Sequence, residues 1–492
     1  MMAATKIAAN TQATFFWHDY ETSGADPKRD RPLQFAGIRT DQDLNIIEEP
    51  VMFYCKPAED LLPHPEACLI TGITPQRAMQ DGLCEAEFMG LVHKELSRPG
   101  TCGVGYNSIR FDDEITRYSL YRNFYDPYAR EWQNDCSRWD IIDMLRLTRA
   151  LRPEGIEWPI NAEGKPSLRL EDLTKANGID HGHAHDALSD VYATIGMAKL
   201  VKERQPKLYQ YALNNRSKKA IQGLLDVISM KPVLHISSMY PVEWGNAAIV
   251  APVAQHPVNR NAVLAFDLRF DPTQLLELPV EEIRRLIYTR NEDLAEGEQR
   301  IPLKQIHINK SPIIAPAGML TAVEAQRLQI SGDDCRTHLA MLRGSVELKQ
   351  KLAQVFMESD FEEDMDPDHM LYSGGFFSDA DKQSMELIRE TPAEQLGALE
   401  LAFQDNRLEE MFLRYRARNY PFSLSDDERS RWEEYRKHKL LAPDNGGYLT
   451  MNELFSILNE RYQQPNLSQR DREILEELAL YAEAIYPMDE MY

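Results

Sequence analysis

A run of apolar and aromatic residues, Thr14 to Glu21, ends in two carboxylates one residue apart, Asp19 and Glu21. The run reads as a β-strand, followed by a turn-rich stretch from Thr22 to Arg31. Side chains two apart on a strand share a face, so both carboxylates project side by side from otherwise apolar surroundings. Holding two negative charges together is costly unless a cation lies between them. Taken alone, the pair fits a solvent-facing acidic edge strand as well as it fits an ion site.

Further strands are predicted at Leu33 to Arg39, Asn45 to Tyr54 and Thr101 to Tyr106. Helical spacing covers Glu85 to Leu96, Asp112 to Tyr125 and Ala187 to Lys202, so the first two hundred residues read as α/β. A basic stretch, Lys202 to Lys207, marks a boundary near residue 203. From Met230 to about Pro316 the pattern becomes β-rich, with short pieces at Val233–Ser238, Ala247–Pro252 and Ala262–Leu268. Ala322 to Phe356 reads as helical, Ser359 to Gly375 as a linker, and Ser378 to Met491 as almost wholly helical.

The 492 residues suffice for roughly two to four domains, and 43% of them are apolar, enough for a sizeable core. The net charge of −23 argues against a simple nucleic-acid coat protein, because a uniformly acidic surface repels phosphates. An enzyme with a basic channel inside an acidic shell remains compatible with it. Six cysteines without a CxxC pair imply free thiols in a reducing compartment, and hence the cytoplasm. No apolar run approaches the roughly 20 residues of a membrane span, and the N-terminus lacks the pattern of a secretory signal.

Two more clusters bear on the chemistry. In Tyr106-Asn107-Ser108-Ile109-Arg110-Phe111-Asp112 a glycine-containing strand end, with Gly103 and Gly105, leads into a helix whose first turn holds Asp112. A carboxylate is favoured there by the helix dipole whether or not it has another task. In His185-Asp186-Ala187-Leu188-Ser189-Asp190 a helix begins near Asp186, with His185 at its mouth and Asp190 in its early turns. The histidine can accept a proton near neutral pH, although a plain helix-capping cluster has the same composition. His181, His183 and His185 also form an alternating histidine string, which leaves a zinc site as an alternative.

In order and spacing, D-x-E, N-x-x-x-F-D and H-x-x-x-x-D resemble the DEDD exonuclease superfamily in its histidine subtype. Longer stretches resemble the bacterial exonuclease I family. Among them are His18-Asp19-Tyr20-Glu21-Thr22, Leu151-Arg152-Pro153-Glu154-Gly155-Ile156, Leu173-Thr174-Lys175-Ala176-Asn177-Gly178-Ile179, His307-Ile308-Asn309-Lys310, Phe376-Phe377-Ser378-Asp379-Ala380-Asp381 and Tyr415-Arg416-Ala417-Arg418-Asn419. The match runs from about residue 14 to at least 425 and is loose over the final 60 residues.

The resemblance implies a ribonuclease H-like exonuclease domain (14–203), an SH3-like β-rich domain with helical insertions (204–356) and a helical C-terminal domain (357–492). It implies 3′ to 5′ degradation of single-stranded DNA to 5′-mononucleotides, in DNA repair and recombination. Asp19, Glu21 and Asp190 would hold two magnesium ions, with manganese able to substitute. Asp112 would complete the acidic cluster and His185 would act as the base. Because His185 must be neutral while nearby carboxylates favour its charged form, an alkaline optimum is expected.

Glu21 and Arg169 would contact the terminal nucleotide, although Arg169 could equally pair with Glu171 or Asp172. Arg117, Tyr128, Trp132, Arg146, Lys218, Asn261 and Lys304 are the expected DNA contacts. The family also implies a monomer that binds the acidic tail of single-stranded DNA-binding protein, with Arg152 and Arg343 as candidate contacts, and no membrane association. Three rivals stand beside this reading: an RNA-trimming nuclease of the same catalytic type, a non-catalytic DNA-binding scaffold, and a zinc hydrolase built on the histidine string.

Overall fold

The computed structural model describes residues 13–182, 186–357 and 364–487. Compactness divides the chain into two units. The first takes in Met1–Ser137, His181–Tyr192 and Glu363–Tyr492, and the second Arg138–Asp180 and Ala193–Glu362.

In the first unit, strand β1 (Thr14–Thr22) lies between β2 (Pro32–Thr40), antiparallel to it, and β5 (Thr101–Gly105), parallel to it. β3 (Val51–Cys55) pairs with β2, and β4 (Gly82–Leu83) pairs with β3. The helices Glu85–Leu96 and Asp112–Arg122 cover one face of the sheet, where Phe16, Tyr20, Phe35, Phe88, Ile115 and Leu120 form a buried cluster. Burial of each such side chain contributes about 1.5–3 kcal/mol. Alternation then turns Asp19 and Glu21 to the opposite face from Phe16 and Tyr20.

The helices after residue 364 pack onto this core. Leu62 and Cys68 join Leu440, Met451, Leu454 and Leu478 in one cluster, and Tyr118, Tyr121 and Phe124 join Met385, Leu408 and Phe412 in another. The expected strand from Asn45 shortens to Val51–Cys55, because Asn45 closes a turn on Asp41 (backbone N to Oδ1, 2.9 Å) after Leu44 enters the left-handed region.

The chain passes into the second unit within β6 (Ser137–Asp140). There β7 (Val233–Ile236), β8 (Ala247–Gln255), β9 (Ala262–Asp267), β10 (Leu303–His307) and β11 (Ile313–Pro316) form an antiparallel sheet in the order β10-β9-β8-β7-β11. The three β-like pieces read from the sequence are its central strands. Of the two edge strands, β10 escaped that reading because it carries the polar residues Lys304 and Gln305, and β11, wholly apolar, because it is only four residues long. The helical stretch from Ala322 breaks into Ala322–Arg327, Gly332–Gly344 and Leu348–Met357, the first break falling where Gln329 adopts φ +55° and Ser331 caps the next helix. Among the described residues, no helix is long and apolar enough to cross a membrane.

Candidate active site

The face of β1 that carries Asp19 and Glu21 meets the start of the helix Ala187–Arg204. Gln34, opposite Glu21 in the β1–β2 register, fixes that meeting. Its amide donates to Asp186 Oδ1 (3.4 Å), and its Oε1 accepts from the Ala187 backbone N–H (3.3 Å). Asp190, one turn further along, is thereby brought to the strand. Carboxylate oxygens of Asp19, Glu21 and Asp190 all lie within 4.8 Å of one another, the one such group of three among the described residues.

Asp112 arrives by another route. Gly105 ends β5 under tight packing, since a Cβ there would stand 2.6 Å from the Ser108 Cβ. Asn107 then turns the chain in the left-handed region at φ +61°, a conformation asparagine tolerates better than most residues. The helix Asp112–Arg122 follows, and Asp112 Oδ1 accepts from the Tyr20 backbone N–H (3.2 Å), between the two strand carboxylates. Asp112 is thus buried against β1 beside the group of three.

The electrostatics follow from this crowding. Burial, then repulsion from Asp112, Glu21, Asp190 and Asp186, holds the Asp19 carboxyl well above the usual carboxylate range. Burial, then Asp190, Asp112 and Asp186, pushes Glu21 up to about 9. Among the described residues, the causes of both shifts are burial and neighbouring carboxylates. The donor set is entirely carboxylate oxygen, which fits a hard divalent cation and not the nitrogen and sulfur ligands of a structural zinc site.

His185 and His183 lie outside the described residues; His181 hydrogen-bonds through Nε2 to Asp190 Oδ1. Arg169, in the second unit, is 70% exposed at its side chain and paired with Glu171. Arg117 is buried, with its guanidinium held by Glu131 (2.7 Å) and Glu114 (2.9 Å), so its charge is already balanced within the protein. Tyr128 stacks under Arg117 (5.4 Å), whereas Trp132 is 65% exposed. Arg146 is buried and paired with Asp143 (2.5 Å), Lys218 is exposed, and Lys304 lies 5.6 Å over the Tyr240 ring. Asn261 accepts through its carbonyl from the Ile308 N–H (2.8 Å). Arg152 pairs with Glu324 (2.8 Å), and Arg343 donates to the Ser229 carbonyl (2.9 Å).

Asp186 is a charge on the site that the sequence reading treated only as a helix start. Its spacing from Asp190 was the available signal.

Beside Glu21 lies a cavity of about 470 Å³, lined by Thr22, Leu62 and Phe111, and by Gly447, Tyr448 and Leu449 from the turn between two C-terminal helices. Nothing in the sequence pointed to the last three.

Comparison with known proteins agrees with this architecture. Residues 16–198 match an exonuclease family, residues 216–358 the exonuclease I SH3-like domain, and residues 365–485 the exonuclease I C-terminal domain. The chain is 50% identical over 438 residues to exodeoxyribonuclease I of Escherichia coli strain K12, covering 89% of this chain and 92% of that protein. The chain belongs to the exonuclease I family. The solved structure of a moderately thermophilic exonuclease I from Methylocaldum szegediense superimposes with a TM-score of 0.92 at 51% identity, covering 96% of this chain and 99% of that one. That of E. coli exonuclease I in complex with a dA16 oligonucleotide gives 0.91 at 47% identity, covering 96% and 100%. With the family come the fold class read from the sequence, an RNase H-like exonuclease domain, an SH3-like domain and a helical C-terminal domain, and the assignment of the chain as a nuclease.

Proposed function

We propose that this chain hydrolyses single-stranded DNA from its 3′ end, releasing 5′-mononucleotides, and that Asp19, Glu21 and Asp190 would hold two magnesium ions. The observation that carries the reading is the convergence of those three carboxylates within 4.8 Å, with Asp19 and Glu21 pushed toward protonation by burial and by the carboxylates around them. Bound magnesium supplies charge stabilisation to the attacking and leaving oxygens of the phosphodiester. The rest falls to the chain itself. Asp112, anchored on the Tyr20 N–H, holds the acidic strand against the helix Asp112–Arg122. Asp190 is fixed by the first turn of its helix and by His181. His185 is the proposed base, taking one proton from the attacking water as the 3′ oxygen of the preceding nucleotide departs.

Support for a DNA substrate comes from the relative solved with a dA16 strand, which this chain matches along nearly its full length. Trp132 and Lys218 offer an exposed ring and an exposed cation for bases and phosphates. Free thiols at all six cysteines suit the proposed cytoplasmic setting. The test is a matched pair of single strands, DNA and RNA, labelled at either end. Magnesium-dependent release of mononucleotides from the DNA 3′ end, abolished by chelation, is expected. Equal turnover of RNA, or release from the 5′ end, would refute the proposal.

Metal and protons should compete for the same oxygens. In the metal-free protein Glu21 keeps a proton up to about pH 9, against 4.5 in an unfolded chain. The native state then binds more protons across that window, so its stability falls as pH rises through it. Magnesium replaces those protons, and the rise in Tm that it produces should grow from pH 5 to pH 9. Thermal melts with magnesium or chelator at both pH values check this; an equal gain at each contradicts it.

A further inference from the structure

The cavity beside Glu21 takes part of its wall from far along the chain. Gly447, Tyr448 and Leu449 belong to the turn between the helices Asp426–Leu441 and Met451–Tyr462. This turn is built to hold one shape. The Asn445 amide donates to the carbonyls of Lys439 (2.6 Å) and Tyr448 (3.0 Å), while its Oδ1 accepts from the N–H groups of Gly447 (3.1 Å) and Tyr448 (3.0 Å). Gly446 and Gly447 sit at φ +82° and +84°, where a side chain would be strained.

Three neighbours then pin the turn. Arg29 Nε, from the loop after β1, donates to the Gly446 carbonyl (2.8 Å). The Tyr448 hydroxyl is hydrogen-bonded to His369 Nε2 (2.6 Å), and Lys439 Nζ lies 3.9 Å from the centre of the Tyr448 ring. Tyr448 is therefore a fixed, buried ring at the cavity wall.

The cavity's volume of about 470 Å³ falls in the ~300–1,000 Å³ range of small-molecule sites. It has room for a nucleotide-sized group beside the acidic cluster, and its wall cannot swing aside without breaking the bonds just named. With a strand's terminal nucleotide in this cavity, any continuation of the strand toward Tyr448 would meet that wall.

We propose that the Asn445–Leu449 turn is a 3′-end stop, and that Tyr448 is the positioning residue that restricts hydrolysis to strands ending in a free 3′ hydroxyl. The proposal rests on the acidic cluster being the hydrolytic centre. It makes the C-terminal helices part of end selection.

The experiment uses the full chain with magnesium and two single strands, one ending in a 3′ hydroxyl and one carrying a bulky 3′ fluorophore. The readout is the ratio of kcat/KM for the two. In the unaltered protein the ratio should strongly favour the free end. Tyr448→Ala should cut that preference by about tenfold, the effect of reshaping one apolar contact in a selective pocket. Arg29→Ala, which frees the Gly446 carbonyl from a partly exposed position, should act in the same direction and serves if Tyr448→Ala does not fold. Tyr448→Phe keeps the ring and should retain the preference.

Both rates falling together at a constant ratio would mean a merely structural role and would overturn the proposal. So would an unaltered protein indifferent to the blocked end. Inactivity of Asp19→Asn alongside an unchanged ratio discards the end stop alone, whereas an active Asp19→Asn discards the reading of the site beneath it.

Discussion

Asp19→Asn is expected to lower kcat on single-stranded DNA by at least about 10³-fold, equivalent to ~4 kcal/mol of barrier, while making the metal-free protein more stable. The two effects have one cause. Asp19 is buried among Asp112, Glu21, Asp190 and Asp186, all of the same sign. An amide of the same shape is neutral without taking up a proton, so the cost of charging or protonating a carboxyl in that crowd disappears and the fold gains. The same amide is a poor ligand for a hard divalent cation, and the transition state loses the charge stabilisation that the cation provides. Single-turnover kinetics on a 3′-labelled strand and thermal melts in chelator measure the two sides. Activity within tenfold of the unaltered protein would remove Asp19 from the site. A fall in Tm of several degrees in chelator would show that its charge is needed for the fold and not for an ion.

How much of this was legible in the sequence depends on how local each signal is. The β1 carboxylates were readable because strand alternation is a rule of neighbouring residues, and the helix start at Asp186 to Asp190 was readable for the same reason. Asp112 came with a recognisable turn, in which Gly105 permits a close approach and Asn107 accepts a left-handed backbone. Arg117 shows the opposite case. The family resemblance made it an expected DNA contact; in the fold Glu131 and Glu114 hold its guanidinium, and a carboxylate fourteen residues away leaves no periodic trace. The cavity wall at Tyr448 was beyond reach altogether. Its neighbours Arg29 and His369 are joined to it only by the tertiary fold, in the stretch where the family resemblance is loosest. The charge network around Asp60 belongs to the same category: Asp60 and Arg418 are 358 positions apart.

That network supplies the largest expected effect on stability. Asp60 is fully buried and accepts from Lys439 (2.7 Å) and Arg418 (2.9 Å), with Arg31 at 3.5 Å. Arg418 also reaches Asp368 (2.7 Å), and Arg31 reaches Glu85 (2.8 Å), which in turn holds Arg122 (3.0 Å). The helices Arg407–Asn419 and Asp426–Leu441 are tied through these groups to the segment after β3. Despite burial, the three cations hold the Asp60 carboxyl well below the usual range, so its contribution is present at neutral pH and lost only in acid. Asp60→Ala leaves the buried Lys439 without its carboxylate partner, and removing one partner of a buried pair costs about 3–5 kcal/mol.

The exposed pair Arg98–Glu48 is shorter, at 2.6 Å, yet Glu48→Ala should cost no more than about 1 kcal/mol, because water screens it. Burial, and not distance, decides between the two. Chemical denaturation of both variants measures the contrast, and comparable losses would contradict it. Adding Lys439→Met to Asp60→Ala should restore part of the stability, because the cost lies in the stranded ammonium more than in the missing bond. A double variant whose loss of stability equals the sum of the two single losses would show that Asp60 and Lys439 act independently, and would contradict the stranded ammonium as the source of the cost.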